Sequence, residues 1–284
     1  MTAQQINIRA LKEQAAELLR DAQVSPRLMT ALYLGLVLIL DMATSLSGEV
    51  EILSTFLSFL TTLTATVLGA GYVMYCMAIR RGERAETLTL FDGFSMAGKI
   101  IALSLLINLL VSLWSIAFVI PGIIVQYRYR FALLNLYENP DLGILDAMRL
   151  SSRQTYGYKK QLLMLDISYL GWVILASLPN LIYNGILYSE AFRLASAYVA
   201  GPGGALPAID PNLLAFPGWA WVLISGLWSM VFAQFYLAKR RCVELAFFEA
   251  ARATPVPEKE FSLPDPWYHY EDDNDSDSKD EDEE

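Results

Sequence analysis

Long apolar runs, each ended by a charged stretch or by glycine and proline, dominate this chain. A spanning helix needs about 20 mostly apolar residues, at ~1.5 Å each, to cross roughly 30 Å of hydrocarbon. Five segments meet that requirement: residues 28–46, 54–79, 100–120, 161–184 and 213–238. A sixth, 122–138, follows the third across Pro121 and Gly122 and contains Arg128 and Arg130, which are costly wherever they face lipid. Before the first run, residues 4–22 place Ile8, Leu11, Ala15, Leu18, Leu19 and Ala22 at helical spacing, with Arg9, Lys12, Glu13, Glu17 and Arg20 between them. That pattern predicts an amphipathic helix, lying on the inner membrane surface or packed on the protein's own cytoplasmic loops. A further cytoplasmic helix is expected at 141–158, and a Gly- and Pro-containing outer loop at 185–212, followed by the interface anchors Trp219 and Trp221.

The basic residues decide the number of crossings. With six crossings and a cytoplasmic start, eighteen of the 21 lysines and arginines lie in inside segments, Arg193 alone lies outside, and Arg128 and Arg130 lie in the sixth segment itself. Five crossings would put either Arg80 and Arg81 or Lys239, Arg240 and Arg241 outside, against the positive-inside rule. The expected fold is therefore all-α: a polytopic transmembrane helical bundle of six spans with both termini cytoplasmic. The alternative is a re-entrant or broken segment at 122–138. The expected organisation is a cytoplasmic amphipathic helix over 1–27, a transmembrane bundle over 28–241, a cytoplasmic segment over 242–264 and a disordered acidic tail over 265–284.

Composition supports this reading. Of 284 residues, 55% are hydrophobic and 18% charged, with a mean hydropathy of +0.36, too apolar for an ordinary soluble domain. The first 27 residues hold no apolar run of signal-peptide type, so the first long segment is expected to be retained as an anchor. The net charge of -9 is a local property, because residues 265–284 hold eleven acids against Lys279 alone. Nucleic-acid binding by bulk charge is not expected. Cys76 and Cys242 both fall near helix ends placed on the cytoplasmic side, where a structural disulfide is not expected.

Several constellations imitate known chemistry. Residues 93–100 have the glycine and lysine spacing of a phosphate-binding loop, but Ile100 stands where Ser or Thr should hold magnesium, and no strand precedes them. Asp273, Asp275, Asp277 and Glu284 fall on calcium-loop positions, but Ser278 replaces the turn glycine and no second helix follows. The single histidine, His269, lies beside the acidic tail, which disfavours a histidine-dependent triad or metal site. Asp41 and Asp166 fall near opposite faces, too far apart to cooperate as an acid/base pair. Ser58, Thr62, Thr66 and Ala70, with Thr61, Ala65 and Gly69 on the adjacent stripe, suit close helix packing, or in a minority reading a substrate path.

The polar network expected inside the membrane is Arg128, Arg130 and Asp166. Two residues apart on a helix, the arginines point about 200° from each other and cannot share one interior. Arg130 lies about 12 Å from the inner end and Asp166 about 8 Å, counted at ~1.5 Å per residue. An ion pair between those two is expected, with Arg128 reaching another acceptor; the alternative is an irregular, solvated segment carrying both arginines.

Residues 121–172 resemble an uncharacterised bacterial integral-membrane family, domain of unknown function 975, found mainly in Gram-positive bacteria. The resemblance lies in Pro121-Gly122, Tyr127-Arg128-Tyr129-Arg130, Asn139-Pro140, Ala147 with Ser151, Gly157, Lys159 and the stretch from Leu165 to Trp172. Weaker agreement runs over roughly residues 5–250. The resemblance implies a multi-pass membrane fold, distantly similar to the membrane domain of some glycerophosphodiester phosphodiesterases, and no reaction. The expected function is that of a non-enzymatic membrane protein of the bacterial cytoplasmic membrane, acting through membrane-protein partners or in envelope processes. A small transporter or transporter subunit is the alternative, and a lipid-active enzyme a third reading. No cofactor, metal or nucleic acid is expected, and the lipid bilayer is the expected partner.

Overall fold

The computed structural model describes residues 7–47, 51–200 and 217–253. Within them every regular element is helical: α1 (Ile8–Arg20), α2 (Pro26–Leu46), α3 (Glu51–Arg81), a 3-10 helix (Thr87–Met96), α4 (Ala97–Ala117), α5 (Val119–Arg128), α6 (Ala132–Glu138), α7 (Ile144–Gln154), α8 (Lys159–Ala200) and α9 (Gly218–Ala253). Five helical stretches among the described residues are long and apolar enough to cross a membrane: Pro26–Leu46, Ile52–Arg81, Thr87–Ile116, Lys159–Ser196 and Gly218–Ala253. The chain is a multi-pass membrane protein with an all-α helical bundle fold.

Helix α1 starts where Asn7 Oδ1 accepts the backbone N–H groups of Arg9, at 3.0 Å, and Ala10, at 3.4 Å. Its apolar stripe does not look outward. Ala15 and Leu19 are buried and Ile8, Leu11 and Leu18 pack beside them, chiefly on α9. Of the two placements the sequence allowed, the protein's own surface takes this stripe, through membrane helices rather than loops. Lys12 Nζ sits 4.3 Å from the Tyr169 ring centroid, a cation–π contact that ties the exposed side of α1 to α8.

Helices α2, α3, α8 and α9 form the body. In the α2–α3 hairpin, the Thr44 and Thr61 hydroxyls are 3.1 Å apart and those of Thr30 and Tyr72 are 2.7 Å apart, so the pairing is fixed at both ends. Trp228 Nε1 donates to the Leu175 carbonyl at 2.8 Å, and Tyr169 packs against Tyr236, joining α8 to α9. The 3-10 helix lies along α3 with backbones nearly touching. A Cβ on Gly71 would fall 1.9 Å from the Leu90 oxygen, and one on Gly93 would fall 2.5 Å from the Val67 oxygen. Gly93 therefore serves packing, and Lys99 donates to the Pro140 carbonyl. Both roles are structural and leave the phosphate-loop spacing of 93–100 without its chemistry.

The segment 122–138 is not the continuous sixth span expected but takes the broken form of the alternative. After α4 the backbone extends at Phe118 (φ -158°), and α5 folds back on α4 so closely that a Cβ on Gly122 would lie 2.0 Å from Ser115 Oγ. The return is then broken at residues 129–131, between α5 and α6. It nevertheless brings the chain back: Glu138 pairs with both Arg81 and Arg252, and Pro140 meets Lys99, so residues 138–140 stand at the end of the bundle where α3 finishes and α4 begins. The break falls at Arg128 and Arg130, whose side chains reach α7 on one side and α8 and α9 on the other; its exposed backbone groups are met by Ser151 and Thr155 of α7.

Two boundaries move outward from expectation. Helix α8 continues to Ala200 instead of ending at 184, because residues 185–200 contain helix formers and a Glu190–Arg193 pair at i,i+3, while the Gly/Pro cluster begins only at Gly201. Helix α9 likewise runs through the basic triplet at 239–241 to Ala253, so the first part of the expected segment 242–264 is helix. Within the helix expected at 141–158 the regular part is α7, Ile144–Gln154. Residues 201–216, His269, the calcium-like spacing and the acidic tail at 265–284 lie outside the described residues.

Candidate functional site

The break between α5 and α6 builds the site. Residues 129–131 leave the Arg128 carbonyl and the Phe131 N–H without helical partners, and α7 supplies them. Ser151 Oγ donates to the Arg128 carbonyl at 2.9 Å and accepts from Phe131 N at 3.1 Å, while Thr155 Oγ1 lies 3.1 Å from that same carbonyl. One turn further on, Asn135 and Gln154 exchange two amide hydrogen bonds, each 2.9 Å, in a buried reciprocal pair. Among these polar side chains, Ser151 and Thr155 satisfy backbone groups that the break would otherwise leave buried without partners.

The two arginines then part. Arg128 turns to α7, its Nε donating to Ser152 Oγ at 2.6 Å. Arg130 turns to α8 and α9. Its Nη1 lies 2.5 Å from Asp166 Oδ2, its Nη2 donates to Asp166 Oδ1 at 3.0 Å, and its Nε donates to Glu244 Oε1 at 2.6 Å. So the structure brings Arg130 and Asp166 together and holds Arg128 apart on a neutral acceptor.

Four further residues complete the cluster. Tyr127 donates its hydroxyl to Asp166 Oδ2 at 2.7 Å, Arg240 Nη2 donates to Asp166 Oδ1 at 2.9 Å, and Arg241 Nη1 donates to Glu244 Oε2 at 2.9 Å. Glu244 is the most enclosed of the ions, with 7% of its side chain exposed, against 13% for Arg130 and 39% for Arg241. Sequence reasoning missed Glu244 and used Arg240 and Arg241 only to orient the chain. The available signal was the i,i+3 and i,i+4 spacing of both arginines to Glu244, with no helix breaker from 238 to 253. Arg80, which donates to Glu249 and at 3.2 Å to the Cys242 carbonyl, ties α3 to α9 beside the cluster.

A cavity of about 500 Å³ opens on this cluster. Arg130, Arg241 and Glu244 stand at one end, and Thr61, Thr62, Ala65, Thr66 and Gly69 of α3 line its side up to Asp41. Thr62, Ala65 and Thr66 of these two stripes thus border open space, while Thr61 is tied to Thr44 of α2 and Ala70 is buried. From Thr61 to Val73 the lining runs about 18 Å along α3 at ~1.5 Å per residue. Asp41 also borders a second cavity, of about 470 Å³, with Thr44, Ser45, Asn180, Ser225 and Ser229 on its walls. Asp41 and Asp166 belong to opposite ends of the body.

No curated protein and no solved structure matches the chain, and the more distant likeness to glycerophosphodiester phosphodiesterase membrane domains gains no support. Residues 116–192, which contain α5, α6, α7 and the Asp166-bearing half of α8, match the model of the family described as Protein of unknown function (DUF975), the family that residues 121–172 resemble.

Proposed function

We propose that this multi-pass protein resides in the bacterial cytoplasmic membrane with the Arg240–Arg241 end of the bundle inside, and that it is a non-enzymatic carrier of a small polar solute. The observation that carries the reading is the cavity: threonine hydroxyls along α3 lead from Asp41 to a cluster of fixed charges at the other end. Intramembrane ionisable groups facing a cavity mark solute or ion pathways more often than they serve packing. The cavity therefore puts the transporter alternative ahead of action through partners alone.

Purified protein reconstituted in vesicles tests this by efflux of a panel of ions, amino acids and small organic acids. Saturable flux is expected for at least one class and is lost in Thr62→Phe, which fills the cavity from an exposed position on α3 and leaves the thermal midpoint near the parent's. Absence of flux across the panel, or flux indifferent to Thr62→Phe, overturns the proposal.

A further inference from the structure

The charge cluster is unbalanced in both charge and hydrogen bonding. Three guanidiniums, of Arg130, Arg240 and Arg241, face two carboxylates, of Asp166 and Glu244, leaving one positive charge uncompensated. The Asp166 oxygens are fully engaged, and both Glu244 oxygens are in use. Each Asp166 oxygen receives two donors, from Arg130 with Tyr127 or from Arg130 with Arg240, and each Glu244 oxygen receives one. Donors remain. An arginine carries five N–H groups, yet Arg241 uses only Nη1 within the described residues, and Arg240 Nε is buried without a partner.

Arg241 borders the cavity, with 39% of its side chain exposed, and Arg130 borders it beside Arg241. Water can fill free N–H groups but cannot supply the missing negative charge. A planar guanidinium with its fork unfilled is matched to a group bearing two coplanar oxygens.

We infer that Arg241, seconded by Arg130, binds a singly charged oxyanion at the charged end of the cavity. Two sources share that chemistry: a soluble carboxylate or phosphate monoanion, and the phosphodiester of an anionic lipid headgroup. The inference deepens the solute reading and rests on it for the soluble source, whereas the charge and donor excess stands independently of transport. Glu244 is then a tuning group, since it competes with the ligand for Arg241.

The test uses the full chain in lipid nanodiscs at constant chloride. In one arm the discs are pure phosphatidylcholine, and inorganic phosphate and acetate are titrated while the thermal midpoint is followed. In the other arm, part of the phosphatidylcholine is replaced by phosphatidylglycerol. A saturable rise in the midpoint is expected in at least one arm. Arg241→Gln should weaken it by about tenfold or more, as expected for loss of a charge-assisted fork, and Glu244→Gln should strengthen it by removing the competing charge. If Arg241→Gln does not fold, Glu244→Gln decides, and unchanged or weaker binding in that variant overturns the inference. So does the absence of saturation in both arms, or an Arg241→Gln protein that binds like the parent. Response to phosphatidylglycerol alone supports the anion site and removes the soluble ligand. Soluble-anion binding without vesicle flux leaves the anion site standing and defeats the carrier reading.

Discussion

Arg130 and Asp166 form a two-pronged ion pair, Nη1 2.5 Å from Oδ2 and Nη2 3.0 Å from Oδ1, between the break in the return segment and the first turns of α8. Each partner has other company: Arg240 also holds Asp166, and Glu244 also holds Arg130. The two single substitutions are therefore unequal. Asp166→Ala leaves three guanidiniums with Glu244 alone, whereas Arg130→Ala leaves two cations with two acids. Removing one member of a buried pair typically costs about 3–5 kcal/mol. Asp166→Ala should sit at that end and Arg130→Ala below it, with the double variant recovering part of the Asp166→Ala loss. Denaturation in detergent for the four proteins of the cycle measures this, and strictly additive losses would show that the pair is not coupled.

Ser151 bridges both sides of the interruption between α5 and α6, so its hydroxyl should matter more than that of Thr155. Ser151→Ala orphans the Phe131 N–H and weakens the hold on the Arg128 carbonyl, at about 1–3 kcal/mol for an unsatisfied buried group. Thr155→Val should cost less, because Ser151 still reaches that carbonyl. Thermal midpoints of the two variants in one detergent settle the order.

Gly122 admits the return of α5 against α4. Gly122→Ala would place its Cβ 2.0 Å from Ser115 Oγ and 3.1 Å from Ser115 Cα, so an overpacking loss of about 1–3 kcal/mol is expected. Ser115→Gly in the same protein removes the nearer atoms and should restore part of the midpoint. A Gly122→Ala protein as stable as the parent would show that the α4–α5 hairpin opens at this point.

Fusion of a reporter active only outside the membrane tests the path of the chain. Activity is expected after Val50, Pro121 or Ala200, and silence after Leu90, Leu150 or Glu260. The contacts of Glu138 with Arg81 and of Pro140 with Lys99 require Leu90 and Leu150 to report alike. Activity after Leu150 alone would mean that the broken segment does not complete its return.

Much of this architecture is readable in the sequence because bilayer thickness imposes a single length scale. The five long spans follow from apolar run length, and Arg130 opposite Asp166 follows from depth and helical angle. Depth could not reveal that the helix carrying Arg128 and Arg130 breaks, since the compensation is supplied by Ser151 and Thr155, some twenty residues later in the chain. Glu244 was hidden for another reason. Three consecutive basic residues at 239–241 read as the end of a span, whereas α9 continues and turns Glu244 back toward the arginines. The α3 hydroxyls were legible as a stripe, but only the positions of α2, α6 and α9 show that the stripe faces a cavity.

The order in which the cluster's parts lie along the chain bears on its biosynthesis. Arg130 and Asp166 precede α9 and neutralise each other, so their pair does not wait for α9 to be made. Arg240, Arg241 and Glu244 follow later and together, on one helix. The surplus positive charge thus arrives only with α9, the last of the described helices.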